Sequence, residues 1–136
     1  MKIEEQVLSI EQMKHLQELG VDTSDASMAY YNISRDNQPD KWILGIANIK
    51  VASVMLSNGI TEMEPTYTIG DLIEKLPIRI GSVNRKIYFT GKYIIVSYSS
   101  PDGSLIEYRG TTLLCLLYSL LCWVAINHKE LLEVKK

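Results

Sequence analysis

The stretch Thr111–Glu130, TTLLCLLYSLLCWVAINHKE, decides how the rest of the chain is read. No residue between Arg109 and Lys129 carries a permanent charge, and Leu113 to Ile126 are apolar but for Ser119. Leucines dominate and neither Pro nor Gly interrupts, so a helix is predicted. A membrane span needs about 20 apolar residues to cross ~30 Å. Here the run is 14 residues, roughly 21 Å long as a helix at ~1.5 Å per residue. It also follows directly on a predicted sheet. The stretch therefore reads as the core helix of a globular domain and not as a membrane anchor.

On a helical wheel Thr112, Leu116, Ser119, Trp123 and Asn127 fall within one arc, the only stripe with polar members. Leu114, Leu117, Leu121 and Val124 lie opposite and are expected to face the sheet. Either the first helix covers the mixed stripe, or it faces outward. If outward, Leu116 and Trp123 become interface candidates for a partner protein or a second copy of the chain.

Working back from this helix, SLIEYR (104–109), KYIIVSYS (92–99) and KIYF (86–89) read as an antiparallel meander. Thr90-Gly91 and the SPDG of residues 100–103 supply its turns. Before it, Thr68 with Asp71 caps a short helix whose apolar face is Ile69, Leu72, Ile73 and Leu76, and Pro77 stops it. SMAYYNIS (27–34) and KWILGIANI (41–49) read as a hairpin around RDNQPD (35–40), with Gly45 marking a bulge or a close contact. Residues 50–64 give no clear pattern. At the N-terminus Ser9 and Gln12 form a capping box, Leu8 can staple onto Met13, and Ile10, Met13, Leu16 and Leu19 recur at helical spacing. Gly20 closes that helix, with Val21 folding back onto Leu16. The sum is one α+β domain over residues 1–136: a mostly antiparallel sheet of about five strands and three helices, the C-terminal one at the core.

The 136 residues suffice to bury a core without staples. A net charge of −2 gives no global bias toward nucleic acid or acidic membranes. The N-terminal MKIEEQVLSIEQ has acidic residues and no apolar run, unlike a signal peptide. Free thiols then fit a reducing cytoplasm. Cys115 and Cys122 lie seven residues apart, about 10 Å along a helix, too far to bridge; both are expected as small buried hydrophobes. The Asn32 sequon carries no meaning in a chain that is not secreted.

Motifs for chemistry are missing from the sequence. It holds no phosphate-binding Gly-rich loop, no G-x-S-x-G, no H-E-x-x-H and no calcium loop. His15 and His128 lie 113 residues apart; the first reads as a surface residue and the second as a cap on the last helix's carbonyls. Glu62 and Glu64 read as ordinary loop acids. No catalytic residue, metal or cofactor is expected. Charge is uneven, however. Residues 1–40 hold three basic and eight acidic groups, −5, and residues 77–110 hold five basic and two acidic, +3. In the basic part Arg85, Lys86, Lys92, Tyr93 and Arg109 are candidates for a basic and aromatic surface that binds a small ligand or nucleic acid, if they share a face.

Three blocks, LSIEQMKHLQELGVDTSDASM, PTYTIGDLIEKLP and TTLLCLLYSLLCWVAINH, together resemble a group of small uncharacterised proteins borne by prophages and mobile elements of gut anaerobic bacteria. They span about 50 of the 136 residues in matching order. The resemblance implies a phage-related cytoplasmic protein and assigns no catalytic residue. Members of that group often carry an acidic residue near Leu114–Cys115, where this chain is apolar, so no surface chemistry carries over there. The expectation is a non-enzymatic accessory or protein–protein interaction module, with the basic and aromatic surface as the second reading. Its partner would be another protein or a second copy of the chain, not nucleic acid or a membrane.

Overall fold

A computed structural model describes residues 6–32, 42–47 and 62–132. Element order is α1 (Ile10–Glu18), β1 (Met28–Asn32), β2 (Trp42–Ile46), β3 (Glu62–Thr66), α2 (Ile69–Lys75), β4 (Arg79–Ile80), β5 (Val83–Phe89), β6 (Ile94–Ser100), β7 (Gly103–Gly110), α3 (Leu113–Asn127) and a closing 3-10 turn, Lys129–Leu132. The α+β class and the core position of the C-terminal helix stand as expected. The strands form two antiparallel sheets, ordered β2-β1-β3 and β4-β5-β6-β7. The 35–40 turn, the outer ends of the first hairpin and residues 50–61 lie outside the described residues.

Local signals set most boundaries. Ser9 Oγ accepts from the Gln12 amide while Gln12 Oε1 accepts from the Ser9 amide, a complete capping box. At the other end Val21 N–H reaches Leu16 O and Gly20 N–H reaches Gln17 O, both about 3 Å, which is the Schellman arrangement. Gly20 adopts φ +89, and a Cβ there would meet the Lys129 side chain. Thr68 and Asp71 repeat the capping box on α2. In the first hairpin β1 and β2 pair without a bulge. Gly45 marks a close contact instead, since a Cβ would stand 3.1 Å from the Tyr31 ring. The Tyr31 hydroxyl continues over it to donate to Ile46 O at 2.7 Å.

β3 was not legible: Pro65 and two glutamates read as loop. The segment runs antiparallel to β1, with Pro65 opposite Ala29. It is the outer strand of its sheet, where a missing N–H is tolerated. The sheet is tied to the N-terminal segment by Leu8 N–H to Tyr67 O (3.0 Å) and Thr66 Oγ1 to Leu8 O (2.6 Å).

The main core lies between one face of the four-stranded sheet and the three helices. Leu114, Leu116, Leu117, Leu120, Leu121 and Val124 of α3 meet Val96 and Tyr98 of β6, Leu72 and Leu76 of α2, and Met13 and Leu16 of α1. Each such buried side chain contributes roughly 1.5–3 kcal/mol. Thr112 makes no side-chain cap bond, so packing, not capping, holds α3 in place. Among the described residues no helix is long and apolar enough to cross a membrane.

Candidate interaction surface

The two interface candidates of α3 do not stand in an outward stripe. Leu116 is 8% exposed and fills the space beside Gly110, where a Cβ would come within 3.2 Å of it. Trp123 is half-buried and stacks on Tyr98 of β6, centroids 6.5 Å apart, with the His128 ring 5.3 Å away on another side. Asn127 is exposed, and its side chain donates to Trp123 O at 2.9 Å and so caps its own helix. The expected cap, His128, contributes its backbone N–H, to Val124 O. Exposed on α3 are Cys115, Ile126 and Asn127, with the N-cap Thr112 before it. Thr112 and Asn127 belong to the mixed stripe, whereas Cys115 and Ile126 lie roughly 70° from its centre at 100° per residue. Cys115 is thus exposed and Cys122 half-buried, where both were expected inside. Burial raises the Cys122 thiol pKa, against a lowering by the Tyr118 hydroxyl. Tyr118 faces the exposed His15 of α1, ring edge to ring, 6.3 Å apart.

The basic and aromatic candidates divide between the two faces of the four-stranded sheet. Residues paired across strands share a face. Arg85 pairs with Tyr98, and Lys86 with Ser97, which also pairs with Glu107. Arg85 therefore lies on the helix face. Its Nη1 donates to Ile73 O at 2.6 Å and Leu76 O at 3.0 Å, closing the C-terminal end of α2. Lys86, Tyr88, Glu107 and Arg109 lie on the other face. Arg109 is bound to its neighbours: Nε to Glu107 at 3.0 Å, Nη1 to the Tyr93 hydroxyl at 3.3 Å, guanidinium 5.6 Å from the Tyr93 ring centre. Glu107 beside it raises the guanidinium pKa further. Lys86 and Lys92 are exposed and make no ion pair among the described residues.

The β5–β6 end of this sheet collects exposed aromatic side chains. Consecutive strand residues point to opposite faces, yet Tyr88 and Phe89 are both exposed, Phe89 by 68%. β4 is short and pairs only with Val83 and Asn84. Beyond Asn84, β5 is an edge strand. At the Thr90–Tyr93 end Tyr88, with Arg109 on Tyr93, lies on one face and Phe89 on the other, while Lys92 sits in the turn and Lys86 two residues back along β5; Thr90 Oγ1 holds the turn by accepting from the Tyr93 amide at 3.0 Å.

A polar network invisible in the sequence locks the 22–27 loop. Lys75 has a 6% exposed side chain; its Nζ donates to Asp25 Oδ2 (2.9 Å) and Asp22 O (3.0 Å). The Tyr67 hydroxyl shares its proton between Asp25 Oδ1 (2.6 Å) and Asp22 O (3.0 Å). Burial, then Asp25, raises the Tyr67 pKa well above its ordinary value. Ser27 closes the loop on Asp71 at 2.6 Å. Asp22, Asp25 and Ser27 are exposed on its outer side, and its bonds fasten the loop to α2 and to Tyr67. A shallow apolar cleft of about 310 Å3, lined by Gln6, Val7, Met28, Thr68, Ile69 and Gly70, lies nearby. Glu62 and Glu64 stand two apart on one face of β3, opposite Asn32 and Tyr30. Asn32 of the sequon is buried. Among the described residues no three metal-ligating side chains converge.

The chain matches no known protein family, no curated protein and no solved structure.

Proposed function

We propose that this chain is a non-enzymatic interaction module that docks a partner protein on the rim formed by Tyr88, Phe89, Tyr93 and Arg109. The observation that carries the reading is the exposure of two consecutive aromatic residues, Tyr88 and Phe89, on a strand that β4 leaves open. Aromatic residues with an arginine are the composition enriched at the centres of protein interfaces. Exposed lysines at the border suit a polar rim. The resemblance to phage-borne accessory proteins fits a small protein that works in the cytoplasm by occupying a surface on another protein.

Nucleic-acid binding is the weaker reading. Arg85 is spent on α2 and Arg109 on Glu107, which leaves Lys86 and Lys92 as free cations at this rim. Phosphate tracking rests on many neutralising contacts.

The test compares tagged bait proteins in lysate of the encoding cells, with partner recovery quantified by mass spectrometry. Tyr88→Ala with Phe89→Asp should deplete the partner roughly tenfold or more, the loss expected from one interface hot spot of about 1.4 kcal/mol or above. Ile126→Asp, on the exposed face of α3, should leave recovery unchanged. Equal recovery with both variants, or loss with Ile126→Asp alone, contradicts the proposal.

A further inference from the structure

The backbone of β5 offers more than side chains. Arg85 N–H points away from β6 and donates to Ile78 O at 2.8 Å. Strand geometry alternates, so the N–H and C=O of Ile87 and Phe89 also point outward. They have no partner among the described residues, because β4 pairs no further along β5 than Asn84, and before β4 the chain comes off the end of α2 at Pro77. The open edge is flanked by exposed side chains, with Phe89 on the helix face and Tyr88 on the other, and with Ile78 74% exposed where β4 begins. Its charge has one sign. Residues 79–93 contain Arg79, Arg85, Lys86 and Lys92 and no acidic residue. The opposite edge, β7, carries Glu107 paired with Arg109.

From this we infer that β5 receives an extended, acidic segment of the partner protein as an added strand alongside Lys86–Phe89. Main-chain bonds to Ile87 and Phe89 would supply affinity, and alternate apolar side chains of the guest would contact Phe89 and Ile78. Lys86 and Lys92 would select acidic residues. The same cations repel a second copy of the chain approaching β5 to β5, which is how exposed strands avoid pairing with themselves; the occupant inferred is a different protein. This inference rests on the interaction reading above and narrows it to one strand edge.

The probe is a fluorescein-labelled peptide alternating glutamate with valine and tyrosine, against its lysine counterpart, titrated with the full chain. The acidic peptide should bind and the lysine peptide should not. Lys86→Glu with Lys92→Glu should weaken binding at least about tenfold, equivalent to ~1.4 kcal/mol. Amide exchange at Ile87 and Phe89 should slow on binding, while the outward amides of β7 stay unchanged. Equal binding of both peptides, protection at β7 instead of β5, or no binding below millimolar concentration overturns strand addition. If strand addition fails while Tyr88→Ala with Phe89→Asp still depletes the partner, the rim binds through side chains alone. If both experiments fail, the interaction reading falls with it.

Discussion

Replacing Arg85 with methionine keeps the aliphatic stem and removes the guanidinium from the end of α2. In the structure that group donates to Ile73 O at 2.6 Å and Leu76 O at 3.0 Å, both in the last turn of a seven-residue helix. Hydrogen bonds involving a charged group contribute ~1.5–3 kcal/mol each, and a cation at a helix C-terminus adds ~0.3–1 kcal/mol. Arg85 is half-buried and water can replace part of this, so the expected loss is about 2–4 kcal/mol. The control is Lys86→Met, one residue along and on the opposite face, where a surface change should stay within about 0.5 kcal/mol. Urea unfolding of both variants, read as a shift of midpoint at constant slope, measures the difference. A loss for Arg85→Met no larger than that for Lys86→Met would show that Arg85 is a surface cation after all. The division of basic residues between two faces would then be wrong.

Four further outcomes follow from the same geometry. Leu116→Ala should cost about 2–4 kcal/mol as a core cavity without changing the mass in solution; a neutral effect on urea stability would return Leu116 to the surface. Iodoacetamide at mildly alkaline pH should label Cys115 before Cys122, since Cys122 is half-buried with its thiol pKa raised; peptide mapping that finds the reverse order contradicts the roll of α3. Tyr67→Phe should cost ~1–2 kcal/mol by removing a hydrogen bond to a carboxylate, and a double-mutant cycle with Asp25→Asn should show coupling between the two sites. Finally, burial pushes the Tyr118 pKa up to about 12, with Cys122 adding to the rise, whereas an unfolded tyrosine ionises near 10. The folded state holds its proton longer, so this contribution to stability is intact below about pH 10 and lost as pH rises through about 12. Tyr118→Phe should flatten that alkaline fall; an unchanged pH profile would argue against burial of the hydroxyl.

Local signals in the sequence were sufficient wherever a few adjacent residues carry the physics. The capping boxes at Ser9–Gln12 and Thr68–Asp71, the left-handed Gly20 and the turn ending in Gly103 each act within four or five residues, and each is found where the pattern puts it. β3 was missed because an edge strand tolerates Pro65 and solvated glutamates, so its pattern resembles a loop. On α3 the sequence left the mixed stripe open between two placements, for a different reason. A helix apolar nearly all round has little amphipathic signal: Leu114, Leu117, Leu121 and Val124 can be placed inward, and are buried, but the stripe with Thr112, Ser119 and Asn127 fits either a covered or an outward position. Asn127 satisfies itself on Trp123 O, and Trp123 finds Tyr98, leaving the roll to long-range packing. Arg85 and Lys86 are neighbours in the chain with opposite fates, because period-two alternation separates them and only pairing with Tyr98 and Ser97 says which goes inward. The Lys75–Asp25–Tyr67 network joins residues 42 to 50 positions apart and has no local signature.

The proposed working surface is the β5–β6 rim and not α3. A photo-reactive phenylalanine analogue placed at position 89, or at position 126 as control, tests it in cells that encode the protein. A discrete cross-linked partner from position 89, with none from 126, is the predicted result. Cross-linking from 126 to a partner or to a second copy, with position 89 silent, would contradict the account and return the interface to the last helix.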